Sequence, residues 1–238
     1  MSFTVRAISL DLDDTLWPFA PIGARIEQVL HDWFEIHSPR TAALFPVATM
    51  RDLRAQVFAE HPHLLHDMSA LRRMTLQRAL EGSDADMALL EPAYETFYAA
   101  RNRVDFYPDA LDALQRIARR VPLASLSNGN ADLQAIGIGH LFSVQMHSRA
   151  HGAAKPEKSI FLATCEQLGL PPGDVLHVGD HVDADVCGAA RAGLRSCWLH
   201  RDDHPGGLQA WPHDDLQPDL QFDTLTALAD WLESQPAA

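Results

Sequence analysis

Residues 5–15 read V-R-A-I-S-L-D-L-D-D-T, and the fold follows from this stretch. A short, largely apolar run that stops on carboxylates reads as a strand buried inside a sheet, with Asp11, Asp13 and Asp14 at its carboxyl end. Working outward, residues 123–126, 144–146, 175–178 and 196–199 are further short apolar runs. From residue 108 they alternate with helical periodicity: Ala110, Leu114, Ile117 and Ala118 behind Pro108, then Phe161, Cys165 and Leu168 before Gly169 and Pro171. Val186, Ala189 and Ala190 give a further stripe ended by Gly193, and Leu225, Leu228, Ala229 and Leu232 give the last. Strands alternating with helices predict an α/β protein whose central parallel sheet is flanked by helices, in the Rossmann-like manner.

Residues 17–103 break this rhythm. Ile22, Ile26, Val29, Leu30 and Trp33 trace one helical face after Pro21, residues 68–80 a second, and Met87, Leu90, Tyr94, Phe97 and Tyr98 a third that Pro92 should kink or restart. The expected organisation is a catalytic core of residues 1–16 and 104–238, interrupted by an all-helical domain at 17–103. Residues 200–218, rich in Pro, Gly, His and Asp, read as a long surface loop.

At 47 % hydrophobic and 21 % charged over 238 residues, the composition is that of an ordinary globular protein rather than a disordered or fibrous one. The net charge of −13 argues against nucleic acid and against a membrane surface, both of which need a basic footprint. Three cysteines, Cys165, Cys187 and Cys197, are an odd number without metal-ligand spacing and suggest neither a disulfide framework nor a zinc site, and no apolar leader follows Met1, so a cytoplasmic protein is expected.

Ligands of open parallel sheets sit at the carboxyl ends of the strands, so the residues following each strand carry the chemistry. Asp11 and Asp13, two residues apart, can face one reacting group, one carboxylate attacking while the other moves protons; acidic turn residues would look the same. Gly179-Asp180 follows the run at 175–178, with Asp185 behind it; hard carboxylate oxygens there suit Mg²⁺, although Asp183 or Asp185 would also favour a helix start as a cap. Ser127 and Asn128, ahead of Gly129, read either as a phosphate cradle or as a plain turn. Lys155, one of only two lysines in the chain, is either a partner for a transferring phosphoryl group or a solvated side chain.

Taken in order, Asp11-x-Asp13-x-Thr15, Ser127-Asn128, Lys155-Pro156 and Gly179-Asp180 with Asp185 resemble the four motifs of the haloacid dehalogenase (HAD) superfamily, and the helical block sits where the helical cap of that family belongs. The resemblance implies a Mg²⁺-dependent phosphatase of small-molecule phosphate esters. It makes Asp11 the nucleophile and Asp13 the general acid and base. It has Mg²⁺ on the Asp11 carboxylate, the Asp13 backbone carbonyl and Asp180, supported by Asp185. Phosphate would be gripped by Ser127 and the Asn128 backbone, its charge balanced by Lys155. In the superfamily's dehalogenases the position of Asp13 is not Asp and no metal is required. Ser127-Asn128-Gly129-Asn130, Arg149-Ala150-His151-Gly152, Leu176-His177-Val178-Gly179-Asp180, Cys197-Trp198, and in the cap His66-Asp67 and Arg72, further resemble the bacterial phosphatases of flavin mononucleotide and of 5-amino-6-(5-phosphoribitylamino)uracil. Leu71 and Arg73 stand where that branch carries bulky aromatics. A nucleotide or sugar-phosphate phosphatase is the alternative, and a phospho-accepting signalling domain a more distant one. His61, His63 and His66 with Asp67 are too irregularly spaced for zinc, and Trp17, directly after the first motif, is the best aromatic candidate for a substrate wall.

Overall fold

The computed structural model describes residues 3–201 and 210–236. Six strands, β1 (Ala7–Leu10), β2 (Leu123–Ser127), β3 (Val144–His147), β4 (Val175–Gly179), β5 (Arg195–Leu199) and β6 (Leu220–Phe222), form one sheet in the order β3-β2-β1-β4-β5-β6. Every pairing is parallel. The helices are α1 (Phe19–His37), α2 (Pro39–Leu44), α3 (Val47–Glu60), α4 (Met68–Gly82), α5 (Leu90–Arg101), α6 (Ala110–Ala118), α7 (Leu133–Ile136), α8 (Ser148–His151), α9 (Lys158–Leu168), α10 (Gly188–Ala192) and α11 (Leu225–Ser234).

Chain contacts divide these elements into two compact units. The first comprises Met1–Pro18, Asp105–Gly129 and Gly137–Ala238, and holds the whole sheet. In it β1 is central and wholly buried, Ile8 lying opposite Leu123 on one side and Leu176 on the other. Strand order reverses between β1 and β4, so their carboxyl ends diverge from a topological switch point, where open sheets of this kind bind ligands. Ala7, Leu126, Met146, Ile160, Phe161, Cys165 and Val175 share one apolar cluster under α9 and α10. Helix α9 stops at Gly169, whose φ of 68° is left-handed and so suits glycine. Strand β6 pairs with β5 at the sheet edge, just after the stretch read as a surface loop; two half-buried residues around an exposed Gln221 give no periodicity to find. Residues 202–209 of that stretch lie outside the described residues.

The second unit comprises Phe19–Val104 and Asn130–Ile136, the latter a segment that sequence reading left in the core. Its amide network explains the grouping, since the Asp132 N–H donates to Asn102 Oδ1 at 2.8 Å and Asn130 Nδ2 to Ser69 Oγ at 3.3 Å. In α1 the buried stripe is Ile22, Ile26, Leu30 and Phe34, so Phe34 closes it while Trp33 stacks on His37 at 4.4 Å. Asp67 caps α4 by accepting from the Ala70 N–H at 2.9 Å, and Leu71, Leu76 and Leu80 are fully buried along it. Pro92 falls within the first turn of α5, where its missing N–H has no intrahelical partner to lose, so the helix restarts before it instead of kinking. Helices α2 and α3 went unread because their buried faces are thin: α3 covers only Met50 and Val57.

Candidate active site

The site lies entirely within the sheet-bearing unit. Asp11 follows β1 and is locked to the neighbouring strand by its own N–H, which donates to the Val178 carbonyl at 2.9 Å. The chain then turns tightly: Asp14 adopts a left-handed φ of 58°, and its N–H returns to the Trp17 carbonyl at 2.7 Å. This turn brings the Trp17 indole N–H to Asp13 Oδ1 at 2.8 Å. Trp17 is fully buried and meets Phe106 edge to face at 5.5 Å, so it forms part of the core and fixes Asp13 rather than walling a substrate pocket. Trp17→Phe keeps an aromatic ring but removes this donor. Turnover is expected to fall about tenfold, near the lower end of what a hydrogen bond to a charged group contributes, with KM little changed. Steady-state kinetics on the preferred substrate checks this.

The lysine carries the most ordered part of the site. Its Nζ donates to Asp11 Oδ1 and to Asp185 Oδ1, each at 2.6 Å, and all but 3 % of its side chain is buried. Its backbone is clamped by Asn128, whose Oδ1 accepts from the Lys155 N–H at 2.8 Å while Nδ2 donates to the Lys155 carbonyl at 2.9 Å. The Asn128 side chain thus clamps the lysine backbone through both its amide oxygen and its amide nitrogen. Ser127 ends β2, buried, with Oγ accepting from the Gly129 N–H at 3.0 Å.

Asp185 is satisfied on all sides by protein donors. Oδ1 accepts from Lys155 and from His177 Nε2 at 3.1 Å, and Oδ2 from the His181 N–H at 3.0 Å. An ionised carboxylate only accepts, so His177 carries its proton on Nε2, and Nδ1 accepts from the Ser9 hydroxyl at 2.8 Å. Burial holds the His177 imidazole below its ordinary range, consistent with a neutral ring. The sequence offered no signal for this Ser9–His177–Asp185 chain, because both residues are hidden inside strands that read as apolar. Gly179 is required here by contact, since a Cβ on it would sit 2.4 Å from the Asp185 carboxyl carbon.

Asp180 receives the Thr15 hydroxyl on Oδ1 at 3.2 Å, and its carbonyl accepts from the Trp198 indole at 2.9 Å. A second unforeseen brace holds Thr15: its carbonyl accepts from Arg201 Nε at 3.2 Å, while Arg201 pairs with Asp109 at 3.0 Å and lies over the Tyr107 ring. Asp109 in turn accepts from the Leu225 N–H at the start of α11 at 2.6 Å.

The charge balance is uneven, with three carboxylates around one ammonium. Burial pushes Asp11 up to about 7 against the pull of Lys155, with the Asp185 charge adding to the rise. It pushes Asp180 up to about 8, with Asp185, Asp11 and Asp14 reinforcing it. For Asp185 burial works the same way but is outweighed by Lys155 and His177, which hold it well below the usual carboxylate range. Burial also opposes the Lys155 charge, and the two carboxylates more than reverse that, keeping it above its ordinary value. Asp11, Asp180 and Asp185 present oxygens within 4.8 Å of one another. A cluster of hard oxygens with unneutralised charge fits a divalent cation.

Within the helical unit, Arg72 lies over the Phe97 ring at 4.5 Å, and burial lowers its guanidinium to about 10. Arg73 sits on Tyr94 at 3.5 Å and pairs with Glu91, and Leu71 is fully buried. His61 and His63 are ring neighbours at 5.9 Å, and among the described residues no metal-competent cluster includes them. No described helix is long and apolar enough to cross a membrane.

Comparison with known proteins places the chain among hydrolases. The chain is 30 % identical over 228 residues, 94 % of each protein, to the 5-amino-6-(5-phospho-D-ribitylamino)uracil phosphatase YigB of Escherichia coli K12. It is 28 % identical to a phosphoserine phosphatase of Thermus thermophilus, over 87 % of this chain and 94 % of that one. A crystal structure described as a 2-haloacid dehalogenase from Pseudomonas syringae pv. Tomato DC3000 superposes with a TM-score of 0.86 at 32 % identity, covering 97 % of this chain and 99 % of that one. The family model for haloacid dehalogenase-like hydrolases matches residues 5–193, from the first strand through the Asp185 turn, and the chain belongs to that family of enzymes.

Proposed function

We propose that this hydrolase is a Mg²⁺-dependent phosphatase of small-molecule phosphate monoesters, acting through a phospho-Asp11 intermediate in the cytoplasm. The observation that carries the reading is the Lys155 ammonium shared between Asp11 and Asp185 at 2.6 Å, which aims one Asp11 oxygen and leaves the other for attack. Asp11 attacks phosphorus, and the phosphorus bond to the leaving oxygen breaks as Asp13 delivers a proton to that oxygen. Asp13 then takes a proton from water, whose oxygen attacks phosphorus and returns the Asp11 carboxylate with free phosphate. Ser127 Oγ and the Asn128 backbone hold the phosphoryl oxygens, and Lys155 neutralises the charge that builds on them.

Mg²⁺ is the fitting ion because the donors are all oxygen. The Asp11 and Asp180 carboxylates and the Asp13 carbonyl would hold it, with Asp185 behind them, and when bound it supplies positive charge to the phosphoryl oxygens. The helical unit, placed in the chain as the family's cap is, would select the leaving group.

Likeness to the Escherichia coli enzyme over 94 % of the chain favours the phosphoribitylaminouracil as substrate, and the motif resemblance adds flavin mononucleotide. A nucleotide or sugar phosphate is the alternative. A 2-haloacid is the second reading, favoured by the name of the Pseudomonas structure. Asp13 weighs against it: displacing halide from carbon produces a leaving group that needs no proton, whereas an alkoxide does.

Phosphate release from flavin mononucleotide, the phosphoribitylaminouracil, nucleoside monophosphates and sugar phosphates, beside halide release from 2-chloropropionate, tests the reading. Ester hydrolysis with Mg²⁺ that chelator abolishes, without halide release, is the expected result. Halide release alone would reverse the assignment.

A further inference from the structure

A second group of metal-competent side chains lies in the same unit and takes no part in the chemistry above. After β4 the chain makes a single π-helical turn, Val182–Cys187, of a kind that recurs at functional sites. Asp183 and Cys187, four residues apart, project from it toward His213, which belongs to the segment between β5 and β6. His213 Nε2 lies 2.9 Å from Asp183 Oδ1, and ligand atoms of Asp183, Cys187 and His213 all fall within 4.8 Å of one another. We propose that these three residues form a binding site for a thiophilic divalent cation of the Zn²⁺ class, separate from the all-oxygen cluster of Asp11, Asp180 and Asp185.

The donor types decide the class of ion. A thiolate, an imidazole and a carboxylate together suit zinc-like ions, whereas Mg²⁺ takes oxygen. Bond lengths of about 2.0–2.3 Å set the ligand atoms about 3.3–3.8 Å apart, so Nε2 and Oδ1, now at 2.9 Å, must part slightly to admit the ion, and any wider separation, up to 4.8 Å, must close on it. As the Sγ–metal bond forms, the Cys187 thiol proton leaves to solvent, and the fourth position remains for water.

The imidazole is held ready by its own segment. Trp211 meets the His213 ring edge to face at 5.9 Å and anchors itself through its indole N–H to the Leu216 carbonyl at 2.7 Å; the Gln217 amide donates to the His213 carbonyl at 3.0 Å. Of the three buried cysteines, only Cys187 has an imidazole and a carboxylate at ligand distance among the described residues. Bound metal would clip the His213 segment onto the turn that also carries Asp185.

Co²⁺ is the probe, titrated into the full chain with excess Mg²⁺ present so that the oxygen cluster is supplied with its own ion. The expected result is a sulfur-to-cobalt charge-transfer band that Zn²⁺ displaces, that Cys187→Ser abolishes, and whose affinity His213→Ala weakens at least about tenfold, the scale on which metal sites respond to losing supporting groups. His213 is partly exposed and outside any helix or strand, so its variant carries the test should the buried Cys187→Ser fail to fold. A wild type without a sulfur band, or a band of unchanged strength and affinity in either folded variant, would overturn the proposal.

Discussion

Asp11→Asn is expected to reduce ester turnover about 10⁴-fold or more while leaving the protein folded, because it deletes the attacking oxygen without changing shape. Its effect on stability should run the other way. Burial pushes the Asp11 carboxyl up to about 7. A folded-state value raised from 3.8 to about 7 means that stability is lost as pH rises between those two values and stays lost above them. In the metal-free protein at neutral pH, the neutral amide should therefore match or exceed the wild type in thermal unfolding. Loss of turnover accompanied by unfolding would indicate that Asp11 serves structure, and turnover within tenfold of wild type would remove it from the mechanism.

The second large effect belongs to Lys155. Lys155→Met keeps the stem but leaves Asp11 and Asp185 facing each other without a cation, in a place where each is largely buried. Breaking one partner from a buried ion pair costs about 3–5 kcal/mol. Removing a preorganised charge from a transition state costs about 10² to 10³ in rate. Both losses are expected together, read by urea unfolding and steady-state kinetics. Lys158→Met is the matched control: Lys158 is exposed at the start of α9 and should change neither. Equal behaviour of the two variants would contradict the assignment of Lys155.

Much of this site was legible because the sheet announces itself. A buried strand is a short apolar run, and the first polar residues after it lie at its carboxyl end, so Asp11, Ser127 and Asp180 are named by where the runs stop. The supports were not legible, for physical reasons. Ser9 and His177 are polar residues inside strands, silent until the β1–β4 register sets Ser9 beside His177. Arg201 and Asp109 are 92 residues apart, and only the fold brings them together under Thr15. Trp17 read as a candidate pocket wall because a large ring beside a motif carries no direction; the turn at Asp14 sends it inward, indole N–H onto Asp13. Strand β6 and helices α2 and α3 bury too few residues for periodicity to register.

The central claim is a covalent bond between Asp11 and phosphorus. Quenching the enzyme in acid during Mg²⁺-supported turnover, reducing acyl phosphates with borohydride and sequencing the peptides by mass spectrometry reads that bond directly. Reduction of Asp11 alone, to the corresponding alcohol, is the expected result. Full turnover with Asp11 left unmodified under conditions that trap other aspartyl phosphates would contradict the account.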